Sequence, residues 1–305
     1  MSGFHHEAVL YADSDEYVAG TVPDVRAALA GDGVVLAAVR DEKRRLLEDA
    51  LGSDGAAVRF VDMQELGRNP ACIIPAWREF LVTAGPGPVV GIGEPVWPGR
   101  SAAEFVECSR HEALLNLAFE DSRPWRLLCP YDAAALPADV LAEARRNHPH
   151  VARDGVSAHS HDFEGTQALL AREDALPEPP RRPAELEFGE EDLVLVRQFV
   201  ASHARTAGLS GGRLNDLVLA VHELATNSMR HGGGGGVLRA WQADAALYCE
   251  IRDHGRISDP LAGRERAPEL LAGGRGLWIV NHLCDLVQVR SSPTGTVVRV
   301  QMAFS

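Results

Sequence analysis

The chain has 305 residues, of which 46% are hydrophobic and 24% charged, and its formal net charge is −13 at pH 7. This composition is typical of a globular chain with room for two domains, and it excludes a largely disordered one. The acidic balance argues against direct nucleic-acid binding, which depends on clustered Lys and Arg side chains.

The termini and the cysteines give no sign of export. The first residues do not combine a cationic stretch with an apolar one, and no run of about eighteen apolar residues predicts a membrane span. The 5 cysteines are scattered and never form a C-x-x-C pair, so we predict neither a disulfide framework nor a recognisable zinc site. We therefore expect a cytoplasmic protein without a membrane partner.

The first predicted domain, residues 4–165, alternates short apolar runs with helical patterns. The predicted strands are Ala8–Tyr11, Val34–Val39, Val58–Asp62, Val89–Ile92 and Trp125–Pro130, and the predicted helices include Asp41–Leu51 and Ala102–Phe119. This alternation predicts an α/β fold with a mostly parallel sheet covered by helices.

Several polar and aromatic residues lie beside these predicted strands and helices: His6, Glu94, Trp97, His111 and Glu112. We expect them to meet at one end of the sheet, where α/β folds bind ligands. The alternative is that His6 and His111 are hydrogen-bonded structural histidines and that Trp97 belongs to the core. No group of His, Cys and Asp has ligand spacing, so a nucleophile or a metal site is not predicted, and Cys129 is interpreted as a buried thiol.

A proline-rich segment, residues 166–189, is predicted to link this domain to a second one, residues 190–305. Its prolines (Pro177, Pro179, Pro180 and Pro183) stand among charged residues. Such a segment is stiff and has little to bury.

The second domain has a different order of predicted elements. Its predicted helices are Glu191–Ala207, Gly212–Arg230 and Leu277–Leu283, and its predicted hairpins pair Val237–Trp241 with Leu247–Arg252 and Asp285–Arg290 with Thr296–Met302. This order predicts an α/β sandwich with helices on one face of a mixed sheet.

The helix predicted over 212–230 has an apolar stripe with two polar residues at its edge. The stripe consists of Leu217, Ala220, Val221, Leu224, Ala225 and Ser228. Glu223 and Asn227 are neighbours on its flank, where a carboxylate suits a general base and a carboxamide oxygen suits Mg²⁺. The alternative is an ordinary amphipathic edge.

Two further segments add polar and glycine residues to this pattern. Asp253 ends a strand and is followed by His254 and Gly255, so its carboxylate can accept a hydrogen bond from an amine such as that of adenine. Gly273, Gly274, Arg275 and Gly276 precede a helix, whose amino terminus favours phosphate, although a glycine-rich loop by itself is usually a structural turn.

The order of these motifs resembles that of the GHKL ATPases over roughly residues 190–303. The resembling segments are His222–Asn227 (the N box), Asp253–Gly255 and Gly274–Leu277 (the glycine boxes) and Gly295–Thr296. Among GHKL proteins, the compact form resembles the anti-sigma-factor serine kinases of bacterial partner switching. The resemblance implies ATP and Mg²⁺ as cofactors.

The resemblance also implies a role for each matching residue. Asn227 would bind Mg²⁺, Glu223 would be the catalytic base and Asp253, with Gly255, would bind adenine. Gly274, Gly276 and the backbone of Leu277 would face the phosphates, with Arg230 and His231 nearby and Thr296 close to the adenine. Beside them, Gly273 is also expected to contribute to phosphate binding and Arg275 to add a charge-assisted contact. One residue departs from the motif: Ile257 stands where the first glycine box usually has a second glycine.

The first domain resembles the MEDS sensory domain, an α/β module associated with responses to small hydrocarbon derivatives. The resembling segments are His6–Tyr11, Gly91–Trp97 and His111–Asn116. The resemblance implies a small-molecule ligand in the first domain.

Together these features predict a regulator of signal transduction and transcription: an ATP-dependent serine/threonine kinase with a sensory domain. Its expected partners are a sigma factor or an anti-sigma-factor antagonist, with a second copy of the chain as a further candidate. The alternative is a ligand sensor whose GHKL-like domain binds nucleotide and partner without transferring phosphate. A sensor histidine kinase is less favoured, because His111 is far from Glu223 in sequence.

Overall fold

The computed structural model describes residues 3–166, 168, 175–265 and 275–304. The chain divides into two compact units, residues 1–172 and 173–305. Across the described residues, every helix is too short or too polar to cross a membrane.

The first unit is built on a seven-stranded sheet with the strand order β3-β2-β4-β5-β1-β6-β7. The strands are β1 (Phe4–Tyr11), β2 (Val34–Val39), β3 (Val58–Asp62), β4 (Val89–Gly93), β5 (Trp125–Asp132), β6 (His150–Arg153) and β7 (Val156–His159). All neighbours are parallel except β6 and β7, which form an antiparallel hairpin at the edge. The predicted mostly parallel sheet is thus confirmed.

Within the described residues of the first unit, six α-helices connect these strands. They are α1 (Ser14–Ala30), α2 (Asp41–Leu51), α3 (Met63–Leu66), α4 (Ile73–Thr83), α5 (Ala102–Ala118) and α6 (Ala138–Asn147), with short 3₁₀ turns at Gly52–Ala57 and Pro70–Cys72. Helix α5 begins with a capping box, in which Ser101 and Glu104 satisfy each other's backbone N–H groups. Unusually for a helix, its buried face includes the ionisable residues Glu107, His111 and Glu112.

The second unit has a five-stranded sheet in the order β11-β12-β10-β9-β8. The strands are β8 (Ala184–Gly189), β9 (Gly235–Ala243), β10 (Ala246–Asp253), β11 (Leu286–Ser292) and β12 (Gly295–Ala303). The helices are α7 (Leu193–Thr206), α8 (Gly211–His231) and α9 (Gly276–Leu283).

Two details of the second sheet differ from the sequence prediction. All its described pairings are antiparallel, whereas a mixed sheet was predicted. Strand β8 lies within the segment 166–189 predicted as linker, and it pairs with β9 from Ala184 to Gly189. The second sheet therefore begins six residues before the predicted domain boundary at 190.

The core of the second unit lies between the helices and one face of this sheet. The predicted stripe of α8 is confirmed, because Leu217, Ala220, Val221, Leu224, Ala225 and Ser228 are all buried. The stripe packs on sheet residues such as Leu238, Cys249 and Val300. Burying one flank in this way leaves Glu223 and Asn227 half-buried at the edge of the core.

Candidate functional site

A cleft of about 450 Å³ opens beside the carboxyl-terminal half of α8. Its described lining comes from α8, the end of β10, the segment after it, the start of α9, and β12: Leu224, Asn227, Ser228, His231, Gly232, Ile251, Asp253, Gly255, Arg256, Ile257, Asp259, Leu261, Ala262, Gly263, Glu265, Gly276, Leu277, Thr296 and Val298. Its volume lies in the range of small-molecule sites.

The start of α9 sits directly against the two polar residues of α8. A Cβ atom at Gly276 would lie 3.0 Å from Asn227 Nδ2 and 3.1 Å from Glu223 Oε2. Only glycine leaves both side chains their present positions. The carboxylate and the carboxamide therefore face the first turn of α9.

The carboxylate of Asp253 is held by two hydrogen bonds at the end of β10. Ser228 Oγ donates to Asp253 Oδ2 at 2.5 Å, and the backbone N–H of Gly255 donates to Oδ1 at 2.8 Å. Gly255 also has to be small, because a Cβ there would lie 2.5 Å from the carbonyl oxygen of His231. Each oxygen of Asp253 keeps further lone pairs for a ligand.

The segment after Asp253 is fixed by a chain of hydroxyl groups. Thr296 Oγ1 donates its only proton to the carbonyl of Gly255 at 2.8 Å. In its contact with Ser291 Oγ, also at 2.8 Å, Thr296 Oγ1 is therefore the acceptor and Ser291 the donor. Ser291 Oγ in turn accepts from the backbone N–H of Ile257 at 2.8 Å. This chain positions Ile257, which lines the cleft.

The amino terminus of α9 presents backbone donors next to the cleft. Helix α9 starts at Gly276, and within the described residues no side chain caps it. Its first N–H groups and the positive end of its dipole therefore favour an anion. Asn281 on α9 also donates to the carbonyl of Gly263 at 2.9 Å, which ties the segment after β10 to this helix.

The cleft wall is partly apolar. The apolar part of the wall consists of Leu224, Ile251, Ile257, Leu277 and Val298. A flat aromatic group could pack on these side chains while its polar edge meets Asp253.

The predicted site residues fall into three groups. Those that line the cleft are Asn227, His231, Asp253, Gly255, Gly276, Leu277 and Thr296, and Glu223 adjoins it at Gly276. Arg230 and Arg275 are exposed and do not belong to the described lining. Gly273 and Gly274 lie outside the described residues. Ser228 was not predicted as a site residue, because its place in the apolar stripe assigned it to the core.

The five residues singled out in the first unit have different neighbours. His6 Nε2 lies 3.0 Å from Glu112 Oε2, so these two do meet. Glu94 instead pairs with Arg40 at 3.3 Å, and the Arg40 guanidinium opposes the upward shift that burial gives the pKa of Glu94. Trp97 stacks under the guanidinium of Arg100 at 3.6 Å. His111 is buried on α5.

The structure adds two further side chains to the contact between His6 and Glu112. Cys129 Sγ lies 3.4 Å from His6 Nε2 and 3.5 Å from Glu112 Oε2, and His148 Nε2 lies 3.3 Å from Glu112 Oε2. The sequence predicted no metal site here, yet these four ligand-type groups lie together in the core. They come from four distant segments, so their spacing along the chain could not reveal them.

Known families match both units. Residues 5–149 match MEDS, the MEthanogen/methylotroph, DcmR Sensory domain. Residues 186–302 match the histidine kinase-like ATPase domain. No curated protein matches the chain significantly.

Two solved structures share low similarity with the chain. The RsbU and RsbW domains of Rv1364c from Mycobacterium tuberculosis align at 18% identity and a TM-score of 0.31, over 41% of this chain and 33% of that one. The Acinetobacter baumannii histidine kinase AdeS aligns at 14% identity and a TM-score of 0.25, over 41% of this chain and 70% of that one. The present chain thus covers a third of the length of the Mycobacterium tuberculosis chain.

On the family matches, the first unit contains a MEDS domain and the second a histidine kinase-like ATPase domain of the GHKL type, as the motif resemblances predicted.

Proposed function

We propose that the second unit binds ATP with Mg²⁺ and transfers phosphate to a serine or threonine of a protein partner. The partner is an antagonist or a sigma factor in a partner-switching pathway, and the MEDS domain supplies a small-molecule input. The proposal rests on the observation that Asn227, Asp253 and Gly276 line one and the same cleft and that Glu223 lies against Gly276.

The residues of the cleft fit a magnesium nucleotide. Asn227 offers a hard carboxamide oxygen, Asp253 offers a fixed acceptor for the amine of adenine, and the uncapped start of α9 offers backbone donors to phosphate. When bound, Mg²⁺ would neutralise charge on the phosphates. Apolar residues such as Ile251 and Val298 would pack on the base.

Glu223 is the proposed general base. It lies one helical turn from Asn227, beside the first turn of α9. There it would accept the proton of the partner's hydroxyl as the hydroxyl oxygen bonds to the γ-phosphorus and ADP leaves.

The kinase proposal is tested by incubating the full chain with γ-labelled ATP, Mg²⁺ and a candidate antagonist protein. We expect label on a serine or threonine of the antagonist. Glu223→Ala should retain ATP affinity within about twofold but lose at least about 100-fold in transfer, the usual contribution of a general base. Label on this chain's own histidines, or unchanged transfer by Glu223→Ala, would refute the proposal.

The alternative function is nucleotide-gated binding of a partner without phosphate transfer. It is favoured by Ile257, which stands in place of a motif glycine and lines the cleft. A side chain at this point restricts the nucleotide more than a glycine does. ATP-dependent capture of the partner without label on it would support this second function.

A further inference from the structure

Four ligand-type side chains meet in the core of the first unit, at a place that the nucleotide site does not use. One ligand atom from each of His6, Glu112, Cys129 and His148 lies within 4.8 Å of all the others. Each of these residues is at most 1% exposed. They lie on β1, α5, β5 and the residue after α6, so one ligand here would join four segments.

The spacing of these atoms is that of metal ligands. Zn–N bonds of about 2.0–2.1 Å and Zn–S bonds of about 2.3 Å place tetrahedral ligand atoms about 3.3–3.6 Å apart. The distances to Glu112 Oε2 are 3.0 Å from His6 Nε2, 3.3 Å from His148 Nε2 and 3.5 Å from Cys129 Sγ. All four ligand atoms lie within 4.8 Å of one another, so a bound ion would draw the more widely separated atoms together.

In each of the two histidines, Nδ1 makes a hydrogen bond outside the cluster, so Nε2 is the nitrogen that faces the other ligands. His148 Nδ1 lies 2.7 Å from the carbonyl oxygen of Ala144, so it carries a proton. His6 Nδ1 lies 3.0 Å from Asn116 Oδ1, and Asn116 Nδ2 donates to the carbonyl of Asn147 at 2.8 Å, which orients the amide. Such partners are the usual outer shell of metal-binding histidines.

With Nδ1 protonated, each neutral imidazole presents a lone pair on Nε2. Both lone pairs then point at a carboxylate oxygen, and the sulfur of Cys129 is beside them. These groups repel one another unless a proton or a metal cation lies between them, and a single imidazolium would still leave the other Nε2 lone pair facing the carboxylate oxygen. Two imidazolium ions are costly here, because the rings of His6 and His148 are 4.1 Å apart and fully buried. One divalent cation with the Glu112 carboxylate and the Cys129 thiolate would be neutral overall.

We propose that His6, Glu112, Cys129 and His148 bind one Zn²⁺ ion in a closed, tetrahedral site. Imidazole and thiolate ligands at tetrahedral spacing favour zinc over Mg²⁺ or Ca²⁺. With four protein ligands and no exposure, the site is structural, and it stabilises the packing of α5 and α6 on β1 and β5.

The direct test uses the full-length protein. We expect about one zinc per chain by elemental analysis after purification without added metal. The metal-free protein, titrated with Co²⁺, should show a thiolate charge-transfer band and the intense visible bands of tetrahedral cobalt. A wild-type protein that retains no metal and gives neither band with Co²⁺ would overturn the proposal without any variant.

Matched cysteine variants locate the site. Cys129→Ser should remove the charge-transfer band and weaken Zn²⁺ binding at least about tenfold, as should His148→Gln. Cys108→Ala is the control, because Cys108 is equally buried on α5 but donates to the carbonyl of Pro95. If Cys129→Ser keeps the band, or Cys108→Ala loses it, these four residues are not the ligands. Circular dichroism of each variant checks folding.

Discussion

Ser228 has a role at the scale of single residues that its sequence position concealed. It belongs to the buried stripe of α8, yet its hydroxyl donates to Asp253 Oδ2 at 2.5 Å. Ser228→Ala removes a hydrogen bond to a carboxylate, so Asp253 loses part of its fixed orientation. We expect ATP affinity, measured by calorimetry, to fall about tenfold.

The control for this variant is Thr226→Ala on the same helix. Thr226 Oγ1 donates to the carbonyl of His222 at 2.8 Å, whereas the single proton of Ser228 Oγ goes to Asp253 Oδ2 and the carbonyl of Leu224 lies farther away, at 3.2 Å. Thr226 does not belong to the described cleft lining. Equal losses in both variants would mean that the hydroxyl acts on the helix rather than on Asp253.

Gly276 is the second residue whose size matters. An alanine there would place its Cβ 3.0 Å from Asn227 Nδ2 and 3.1 Å from Glu223 Oε2. Because both side chains would have to move by a few tenths of an ångström from the positions they hold in the cleft, we expect Gly276→Ala to weaken ATP binding about tenfold.

Gly212→Ala is the matched control, since Gly212 also lies in the first turn of a helix. A Cβ there would meet no atom within 4 Å. Its ATP affinity should equal that of the wild type. Wild-type affinity in Gly276→Ala would show that ATP does not depend on the contact between α8 and α9.

At this scale, the sequence predicted residues that belong to short motifs and missed those united only by the fold. Asn227 and Asp253 were predicted from local spacing, and the structure places both at the cleft. His148 and Cys129 gave no such signal. His6 and Cys129 meet because the parallel strands β1 and β5 are neighbours in the sheet, whereas Glu112 and His148 reach them from α5 and from the residue after α6.

At the scale of elements, periodicity predicted the long and buried segments well. Strands Val34–Val39 and Val58–Asp62 and helix Asp41–Leu51 have the predicted bounds. The hairpin of β6 and β7 was missed, because β7 (Val156–His159) is exposed throughout and has no hydrophobic pattern. Strand β8 was missed because prolines precede it and its sequence, AELEFG, alternates only briefly.

The sheet of the second unit carries a charged cluster on the face away from the helices. Glu250 of β10 is fully buried and accepts from Arg252 Nε at 2.7 Å and from Arg299 Nη2 at 2.6 Å. The segment before β8 covers the cluster, because Arg299 also donates to the carbonyl of Pro177 at 2.8 Å. Part of the predicted linker is therefore bound to this sheet.

Glu250→Gln tests the contribution of this cluster to stability. It leaves the buried Arg299 guanidinium without its carboxylate, so we expect the free energy of unfolding to fall by about 3 kcal/mol in urea denaturation. Glu185→Gln is the control: its carboxylate is half-exposed and bonds Arg239 at 2.9 Å, so its loss should cost at most about 1 kcal/mol. Similar costs for both variants would contradict a special role for the buried carboxylate.

At the scale of the whole molecule, the two proposed ligands belong to different units. The zinc ligands lie within residues 1–172 and the cleft within residues 173–305. A ligand stabilises the folded unit that binds it, by about 2.7 kcal/mol at 100 times its Kd. In calorimetric melting we expect Zn²⁺ to raise the transition of the first unit and ATP with Mg²⁺ that of the second. A shift of the same transition by both ligands would contradict this assignment.

The central claim is that α8, the end of β10 and the start of α9 form one nucleotide site. Calorimetric titration of the full chain with ATP and Mg²⁺, for the wild type and Asn227→Ala, tests it most directly. We predict one ATP per chain for the wild type and no magnesium-dependent binding for the variant, because the cleft then lacks its carboxamide oxygen. Unchanged ATP affinity in Asn227→Ala would contradict the account.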